Sequence, residues 1–281
     1  MSTSITSTTA AVRNPAITSK ELIEARKANL GFSGTVSTRY TDEAKVGTTI
    51  RWGLRNLRSA SSKSEGNSGN DITYAVDTPT AVTLTINQHQ YSAFELEEFE
   101  AHMSITDEEK SETIEAMYAV NLAIDDTLAA LIDNFTNTGG TLAVDATDDD
   151  VRDGVQSLDD ADAPSEGRFF AQSPATKNTM LSIDRYASSD FNRGGGANII
   201  RGEFGEIYGL RTWVSTNVEG TNAAGHDCGI YHRDAFALGL RMAPRKRVFD
   251  DIQNLSTQVA VSAIWGVIET RDDHGYWLQA A

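Results

Sequence analysis

The sequence has little of what disulfide-stabilised or membrane-spanning proteins need. It contains one cysteine, Cys228, which excludes an intramolecular disulfide framework. No run approaches the roughly 20 apolar residues that cross a bilayer. The polar start of the chain, MSTSITSTTA, lacks the apolar core of a signal peptide. We therefore expect synthesis in a reducing cytosol and no membrane segment.

Basic residues are also scarce. The chain has 24 lysines and arginines against 40 aspartates and glutamates, which gives a formal net charge of −16. This balance opposes binding to the outside of a nucleic acid and keeps a concentrated protein soluble. With 281 residues, of which 40% are hydrophobic, the chain is still able to build the core of one large domain or of two smaller ones.

No motif predicts a catalytic or cofactor site. The glycines at 194–196 lack the spacing and the preceding strand of a dinucleotide site, and neither GxxxxGK[ST] nor GxSxG occurs. Only His226, Asp227, Cys228 and His232 lie close enough in sequence to suggest a metal site, although such residues are common in turns and on surfaces. We predict no catalytic, cofactor-binding or metal-binding residues, no cofactor, and no enzyme activity.

The central feature of the sequence is the stretch 104–137, which contains neither glycine nor proline and predicts one helix of roughly eight turns. Thr106 and Glu109 have the spacing of a capping box at its start. Apolar residues at alternating spacings of three and four, broken only by Asn121, predict one buried face: Ile114, Met117, Ile124, Leu128, Leu131 and Phe135. Acidic residues predict an exposed opposite face: Glu108, Glu112, Glu115, Asp125, Asp126 and Asp133.

The segments before this helix predict extended structure. Residues 1–17 are rich in serine and threonine and should be disordered alone, and a short helix is expected between Thr18 and Gly31. Residues 46–60 and 71–96 flank a Ser/Gly-rich stretch and predict a long two-stranded arm. Such a hairpin is marginally stable alone in water, so it should lie on another surface.

The segments after the helix predict an α+β unit. The acidic residues 148–150 suit the first turn of a second helix that ends at Pro164, with Val151, Val155 and Leu158 as its apolar stripe. A strand should follow at 168–173 and a helix should begin at Pro174. Later segments predict two short strands bent at Gly209, a short helix near 234–238, and terminal strands that return to a sheet beside the long helix. The basic run Arg241, Arg245, Lys246 and Arg247 is expected to meet carboxylates of the chain or of a neighbour.

Three segments resemble, in order and spacing, the major capsid protein of tailed double-stranded DNA bacteriophages, whose fold encapsulin nanocompartments share. They are RFFAQSPATKNTML, similar to that family's strand, proline and helix, EIYGLRTWVSTNV, similar to its axial strand pair, and GIYHRDAFALGLR, similar to its return to the periphery. The resemblance implies an N-terminal arm, an extended β-hairpin loop, a peripheral domain with a long spine helix, and an axial domain. The implied segments are 1–45 (arm), 46–103 (loop), 104–182 (peripheral), 183–230 (axial) and 231–281 (return to the peripheral domain).

The resemblance also implies a structural function. The chain would assemble with itself into hexamers and pentamers that form an icosahedral shell around a double-stranded DNA phage genome, without sequence-specific DNA contacts. It would be assembled in the cytoplasm of the bacterial host, reside in the virion capsid, and have scaffolding, portal and decoration proteins as possible partners. An encapsulin-type shell around cargo enzymes is the alternative, and a hydrolase with its active site in the loop 190–205 is a more distant one.

The extended loop carries the residues that we predict to contact other subunits: Arg51, Trp52, Leu54, Arg55, Leu57, Arg58 and Lys63. The region 95–115 is strongly acidic, and opposite charges on two parts of one chain suggest pairing between subunits. We expect the loop of one subunit to lie over the two helices of the next. The alternative is a solvated charged face, because an exposed ion pair is worth only about 0–1 kcal/mol.

Overall fold

A computed structural model of the chain describes a defined subset of its residues. These are 27–28, 30–55, 57–63, 65, 72, 74, 76–99, 108–183 and 206–281. Most of the predicted N-terminal arm with its short helix, the predicted cap at Thr106, and the loop 190–205 lie outside them.

The helices within these residues are, in chain order, α1 (Phe32–Thr35), α2 (Thr41–Ala44), α3 (Glu108–Ala129), α4 (Asp148–Asp160) and α5 (Pro174–Leu181). The strands are β1 (Thr49–Leu54), β2 (Thr80–Thr85), β3 (Gln88–Glu97), β4 (Thr138–Gly140), β5 (Arg168–Gln172), β6 (Glu206–Ile207), β7 (Leu210–Val214), β8 (Gly220–Thr221), β9 (Gly225–His232), β10 (Phe236–Asp251), β11 (Ser256–Glu269) and β12 (Gly275–Ala280). Three short 3₁₀ turns lie at Ile132–Asn134, Arg233–Ala235 and Asp272–His274.

The described strands form three sheets. β1 and β2 form an antiparallel hairpin, and β10, β11 and β3 form an antiparallel sheet in that order. The third sheet is mixed, with the order β4-β12-β9-β5-β7-β6 and with β8 paired to β9. After its first passage from β3 to β4, the chain passes between the second and third sheets twice more, from β9 to β10 and from β11 to β12, each time through a 3₁₀ turn. These two connections are the junction between the sheets.

The predicted hairpin is shorter than expected. β1 and β2 pair as predicted, with Ile50 opposite Leu84, and the buried Leu84 confirms the alternation that indicated a half-buried strand. β3 does not continue the hairpin, however, because it pairs with β11 along its whole length. The two-stranded arm predicted over 46–96 therefore ends at β2, and β3 belongs to the sheet beneath α3.

The long helix also ends earlier than predicted. α3 stops at Ala129, and a 3₁₀ turn at Ile132–Asn134 replaces the turns that we expected up to residue 137. Tertiary packing explains the stop, because the turn places Ile132 and Phe135 in the core and brings the ring of Phe135 to 4.9 Å from that of Phe236. Helix propensity alone does not predict a helix end that tertiary packing determines.

The buried face of α3 differs from the predicted one in its first half. Ile124 and Leu128 are buried as expected, but Ile114 and Met117 remain 43% and 38% exposed. Ala116 and Val120 take their place in the core. Small side chains let α3 lie close to β3 and β11, which a count of large apolar residues does not anticipate.

The predicted exposure of Asp125 is wrong, because its side chain is only 1% exposed. Its carboxylate accepts hydrogen bonds from the backbone N–H groups of Gly31 at 3.0 Å, Ser33 at 3.2 Å and Phe32 at 3.4 Å. Buried charges persist where such bonds satisfy them. Asp125 thus holds the start of α1 against the C-terminal part of the long helix.

The second half of the chain follows the prediction closely. α4 begins with a capping box in which Thr147 and Asp150 bond each other reciprocally. Ser173 caps α5, with Pro174 in its first turn, and β6 and β7 bend at Gly209, whose φ is +77°. The helix predicted near 234–238 is wrong: a 3₁₀ turn ends at Ala235, and β10 begins at the buried Phe236.

The mixed sheet crosses the predicted domain boundaries. It takes β5 from the segment 104–182, β7 from 183–230, and β12 from 231–281. The division into a loop, a peripheral domain and an axial domain stays a prediction.

Candidate subunit interface

The base of the hairpin packs on other parts of the same subunit. Ile50, Leu84 and Ala44 form a small apolar cluster there. Two glycines, one in β10 and one in β11, make this close packing possible. A Cβ on Gly239 would lie 2.8 Å from Leu84 Cδ2, and one on Gly266 would clash with the carbonyl oxygen of Thr85. These contacts fix the base of the hairpin to the rest of the described chain.

The segment before α1 lies along the long helix. Lys27 pairs with Glu115 at 3.0 Å, and the backbone N–H of Ala28 donates to the hydroxyl of Tyr118 at 2.7 Å. Together with the bonds of Asp125, these contacts move towards the start of α3 as the chain is followed backwards. The described residues between 27 and 33 thus run in the same direction as α3, with Lys27 nearest the start of that helix.

The predicted contact residues fall into two groups. Trp52 and Leu54 are half-buried at the hairpin base, where the ring of Trp52 stacks on that of Tyr40 with 4.2 Å between centroids and 12° between planes. The others are exposed: Arg51, Arg55, Leu57, Arg58 and Lys63. The guanidinium of Arg55 lies 3.8 Å from the carboxylate of Asp77. Trp52 therefore already has an aromatic partner within its own subunit.

Beyond the hairpin base, large apolar side chains are left without cover. Leu57 is 98% exposed, Tyr74 87% and Val76 85%. Surface apolar residues are common singly, but a group of them marks a binding surface. The described residues of this distal part of the hairpin, 55–79, therefore offer an apolar surface that is suited to contact with another molecule.

A second apolar group lies at the turn between β10 and β11 and was missed by sequence reasoning. Its members, here called the β10–β11 tip, are Val248, Phe249, Ile252 and Leu255, which are 52–86% exposed. The sequence VFDDIQNL could have revealed this group, because it places large apolar residues in and beside a polar turn between two strands. Neighbouring copies are natural candidates to cover both apolar groups.

The acidic region that we expected to receive the cations is partly paired within the subunit. Lys246 donates to Glu109 at 2.7 Å, which confirms that the basic run meets carboxylates of the chain. Glu115 pairs with Lys27, and Ser256 donates to Glu95. Glu97 and Glu112 are exposed and are better placed to meet charges of a neighbour.

The candidate metal residues on β9 do not converge. His226 contacts Asn222 at 2.9 Å, and His232 contacts the carbonyl of Glu166 at 3.0 Å. Trp277 Nε1 donates to Asp227 at 2.9 Å, and burial raises the pKa of the Cys228 thiol. Within the ranges that the structure describes, no group of three or more His, Cys, Asp or Glu residues could hold a metal ion.

No helix in the described part of the chain is both long enough and apolar enough to cross a bilayer.

The architecture defines the class of fold. A hairpin, a long helix on an antiparallel sheet, and a second mixed sheet with its own helices make up an α+β fold. No protein-family model matches the chain, and no curated protein matches it.

Solved structures show the same fold over nearly the whole chain. A chain from Mycobacterium phage Che8 matches with a TM-score of 0.82 and 19% identity, covering 94% of this chain and 96% of that one. A chain from the capsid structure of the cyanophage P-SCSP1u matches with a TM-score of 0.77 and 15% identity, covering 97% and 94%. One from the mature capsid of bacteriophage PhiM1 matches with a TM-score of 0.72 and 14% identity, covering 95% and 91%. The protein therefore has the fold of tailed-phage capsid proteins.

Proposed function

We propose that this chain is a major capsid protein, which assembles with itself into hexamers and pentamers that form the icosahedral shell around a double-stranded DNA phage genome. The observation that carries the proposal is the match to capsid chains from end to end, with at least 91% of each of the three chains covered. A fold alone does not define a function. The surfaces described above supply the second argument.

Those surfaces favour association with identical copies. The distal hairpin and the β10–β11 tip expose large apolar side chains, and burying them in neighbours would stabilise a shell by the hydrophobic effect. The same features give no support to catalysis, so the role that we propose is structural. The matched structures named above come from phages, which favours a genome-enclosing shell over an encapsulin around cargo enzymes.

The proposal includes a specific contact. The exposed cations of the hairpin, Arg51, Arg55, Arg58 and Lys63, would lie over α3 and the acidic α4 of the next subunit. Leu57 would supply apolar contact, and exposed acids such as Glu97 and Glu112 would face the arginines. Trp52 and Leu54 would contribute at the rim of this contact, next to their packing within the subunit.

Further elements of the proposal concern the virion. The shell would be assembled in the host cytoplasm, with scaffolding, portal and decoration proteins as possible partners. An inner wall with the acidic character of the chain, which has a net charge of −16, would contact packaged DNA only weakly and let it slide during filling and ejection. A strongly positive inner surface in a particle structure would contradict this last point.

The test is expression of the full chain followed by negative-stain microscopy and sedimentation. We expect closed particles of uniform size, or rings of five and six subunits that close into particles when scaffolding or crowding agents are added. A chain that stays monomeric under all of these conditions would contradict the proposal. Nucleic acid packaged in particles from infected cells, as opposed to enzyme cargo, separates the phage shell from the encapsulin alternative.

A further inference from the structure

A small cavity, here called the hairpin-base cavity, lies where three parts of the chain meet. It has a volume of about 270 Å³. Its walls come from residues 37–40 after α1, from β1, and from both connections at the junction between the sheets. The side chains that matter for its chemistry are Arg39, Trp52, Asp234, Thr270 and Arg271.

Two hydrogen-bonding groups of the lining residues are buried without a partner. Trp52 Nε1 and Thr270 Oγ1 are both closed off from solvent, and neither bonds to any described residue. Folded proteins satisfy most such groups, since each unpaired one costs about 1–3 kcal/mol. The indole N–H can only donate, so whatever satisfies it must carry an acceptor atom. Stacking on Tyr40 fixes the plane of this indole.

The charge of the lining favours a negative occupant. Arg39 and Arg271 are exposed at the cavity, and neither forms an ion pair or a side-chain hydrogen bond with the residues described. Asp234 is the one acid of the lining, and its carboxylate lies 3.9 Å from His232 Nδ1. Two guanidinium groups against one carboxylate leave a net positive lining, and guanidinium groups match the planar oxygens of carboxylates and phosphates.

We propose that the hairpin-base cavity binds an oxyanion, a carboxylate or phosphate group, through Arg39 and Arg271, and that a small displacement of the lining then brings the buried indole N–H of Trp52 and the hydroxyl of Thr270 into contact with it. The volume suits a single carboxylate or phosphate group and not a nucleotide, whose pockets are generally larger. The oxyanion comes either from solution or from an acidic side chain of a second copy of this chain. The binding chemistry is the same for both sources.

Occupation has a mechanical consequence. The cavity touches β1 of the hairpin, the segment after α1, and the junction between the sheets. One anion bridging Arg39 and Arg271 would therefore clamp the hairpin base to the junction. Without the anion, two like charges would face each other across the cavity and leave the hairpin less firmly held.

The proposal can be tested on the unassembled full-length protein by NMR of the tryptophan indole N–H signals. The chain has four tryptophans, and Trp52→Phe assigns the signal of Trp52. We expect a saturable shift of this signal on titration with inorganic phosphate or acetate, and no such shift with sodium chloride at equal ionic strength. Arg39→Gln and Arg271→Gln should each weaken anion binding roughly tenfold, because each variant loses a charge-assisted hydrogen bond to the anion.

The control is Arg211→Gln, which removes an exposed arginine of β7 and should leave the titration unchanged. A Trp52 signal that does not saturate, or that responds in both cavity variants as it does in the wild type, would overturn the proposal. In a density map of assembled particles, a neighbour's carboxylate or an isolated anion in the cavity identifies the source. The titration does not depend on assembly, so its result stands whether or not the chain forms a shell.

Discussion

At the scale of single residues, Asp125 is the side chain on which the arm depends. Its carboxylate accepts from three backbone N–H groups at the start of α1, and removing it leaves these donors unpaired. We expect Asp125→Ala to lower the free energy of unfolding by roughly 2–3 kcal/mol in urea titrations and to expose residues 27–35 to proteases. The exposed neighbour provides the control, since Asp126→Ala should cost less than about 0.5 kcal/mol. Equal losses in the two variants would show that Asp125 does not anchor the arm.

A second residue-scale prediction concerns pH. Partial burial, together with repulsion from Asp272, raises the pKa of Glu269 from 4.5 to about 7. Although burial alone would raise the pKa of Asp272, hydrogen bonds from Thr136 lower it, so the pair holds one proton. The unfolded chain loses the Glu269 proton near pH 4.5 and the folded chain near pH 7. Stability is therefore full below this window and falls as pH rises through it.

Glu269→Gln should remove this dependence. Between pH 4.5 and 7.5, we expect the wild-type chain to lose roughly 1 kcal/mol that the variant retains, after allowance for solvent screening of a half-exposed group. Glu112→Gln, at an exposed carboxylate of α3, is the matched control and should follow the wild type. Parallel pH profiles of the wild type and Glu269→Gln in urea unfolding would refute the assignment.

At the scale of elements, the packing of the hairpin base depends on the absence of a side chain at Gly266. A Cβ on Gly266 would clash with the backbone of Thr85 in β2, so Gly266→Ala should push the hairpin off the sheet. We expect a loss of about 1–3 kcal/mol, as for other overpacked cores, and faster proteolysis of residues 55–79. Gly34→Ala adds its Cβ where no other atom lies within 4 Å and should be tolerated. If both variants are cleaved at the wild-type rate, the hairpin does not rely on this contact.

Elements were predictable where their signals are local. The acidic first turn of α4 and the proline at the start of α5 are read from a few neighbouring positions, and both helices begin where predicted. The end of α3 and the pairing of β3 were not, because each is set by residues far away in sequence. Phe135 leaves the helix to pack on Phe236, and β3 aligns with β11.

At the scale of the whole molecule, the order of parts was predictable and their contacts were not. The hairpin cations could be named because exposed charges at regular spacing are visible in sequence. The hairpin-base cavity could not be predicted, since Arg39 and Arg271 lie far apart in the sequence and line the cavity together only in the folded chain. The β10–β11 tip was missed because an apolar turn indicates a binding surface only when it is known to be uncovered.

The last prediction tests the hairpin as an assembly element. Arg51, Arg55 and Arg58 are exposed, and the only ion pair given by these three to a described residue, Arg55 with Asp77, is long at 3.8 Å. Replacing all three by glutamate should leave the melting temperature of the subunit nearly unchanged, because exposed pairs contribute little.

The same triple variant should fail to form particles in negative-stain microscopy, since its hairpin would repel the acidic surface of the next subunit. Replacing the three arginines by lysine keeps the charge and should preserve assembly, which makes it the control. Wild-type assembly should also weaken as salt rises, because screening shortens the reach of exposed charges. Normal particles from the glutamate variant would mean that the hairpin binds its neighbour through apolar contacts alone, with Leu57 as the first side chain to truncate.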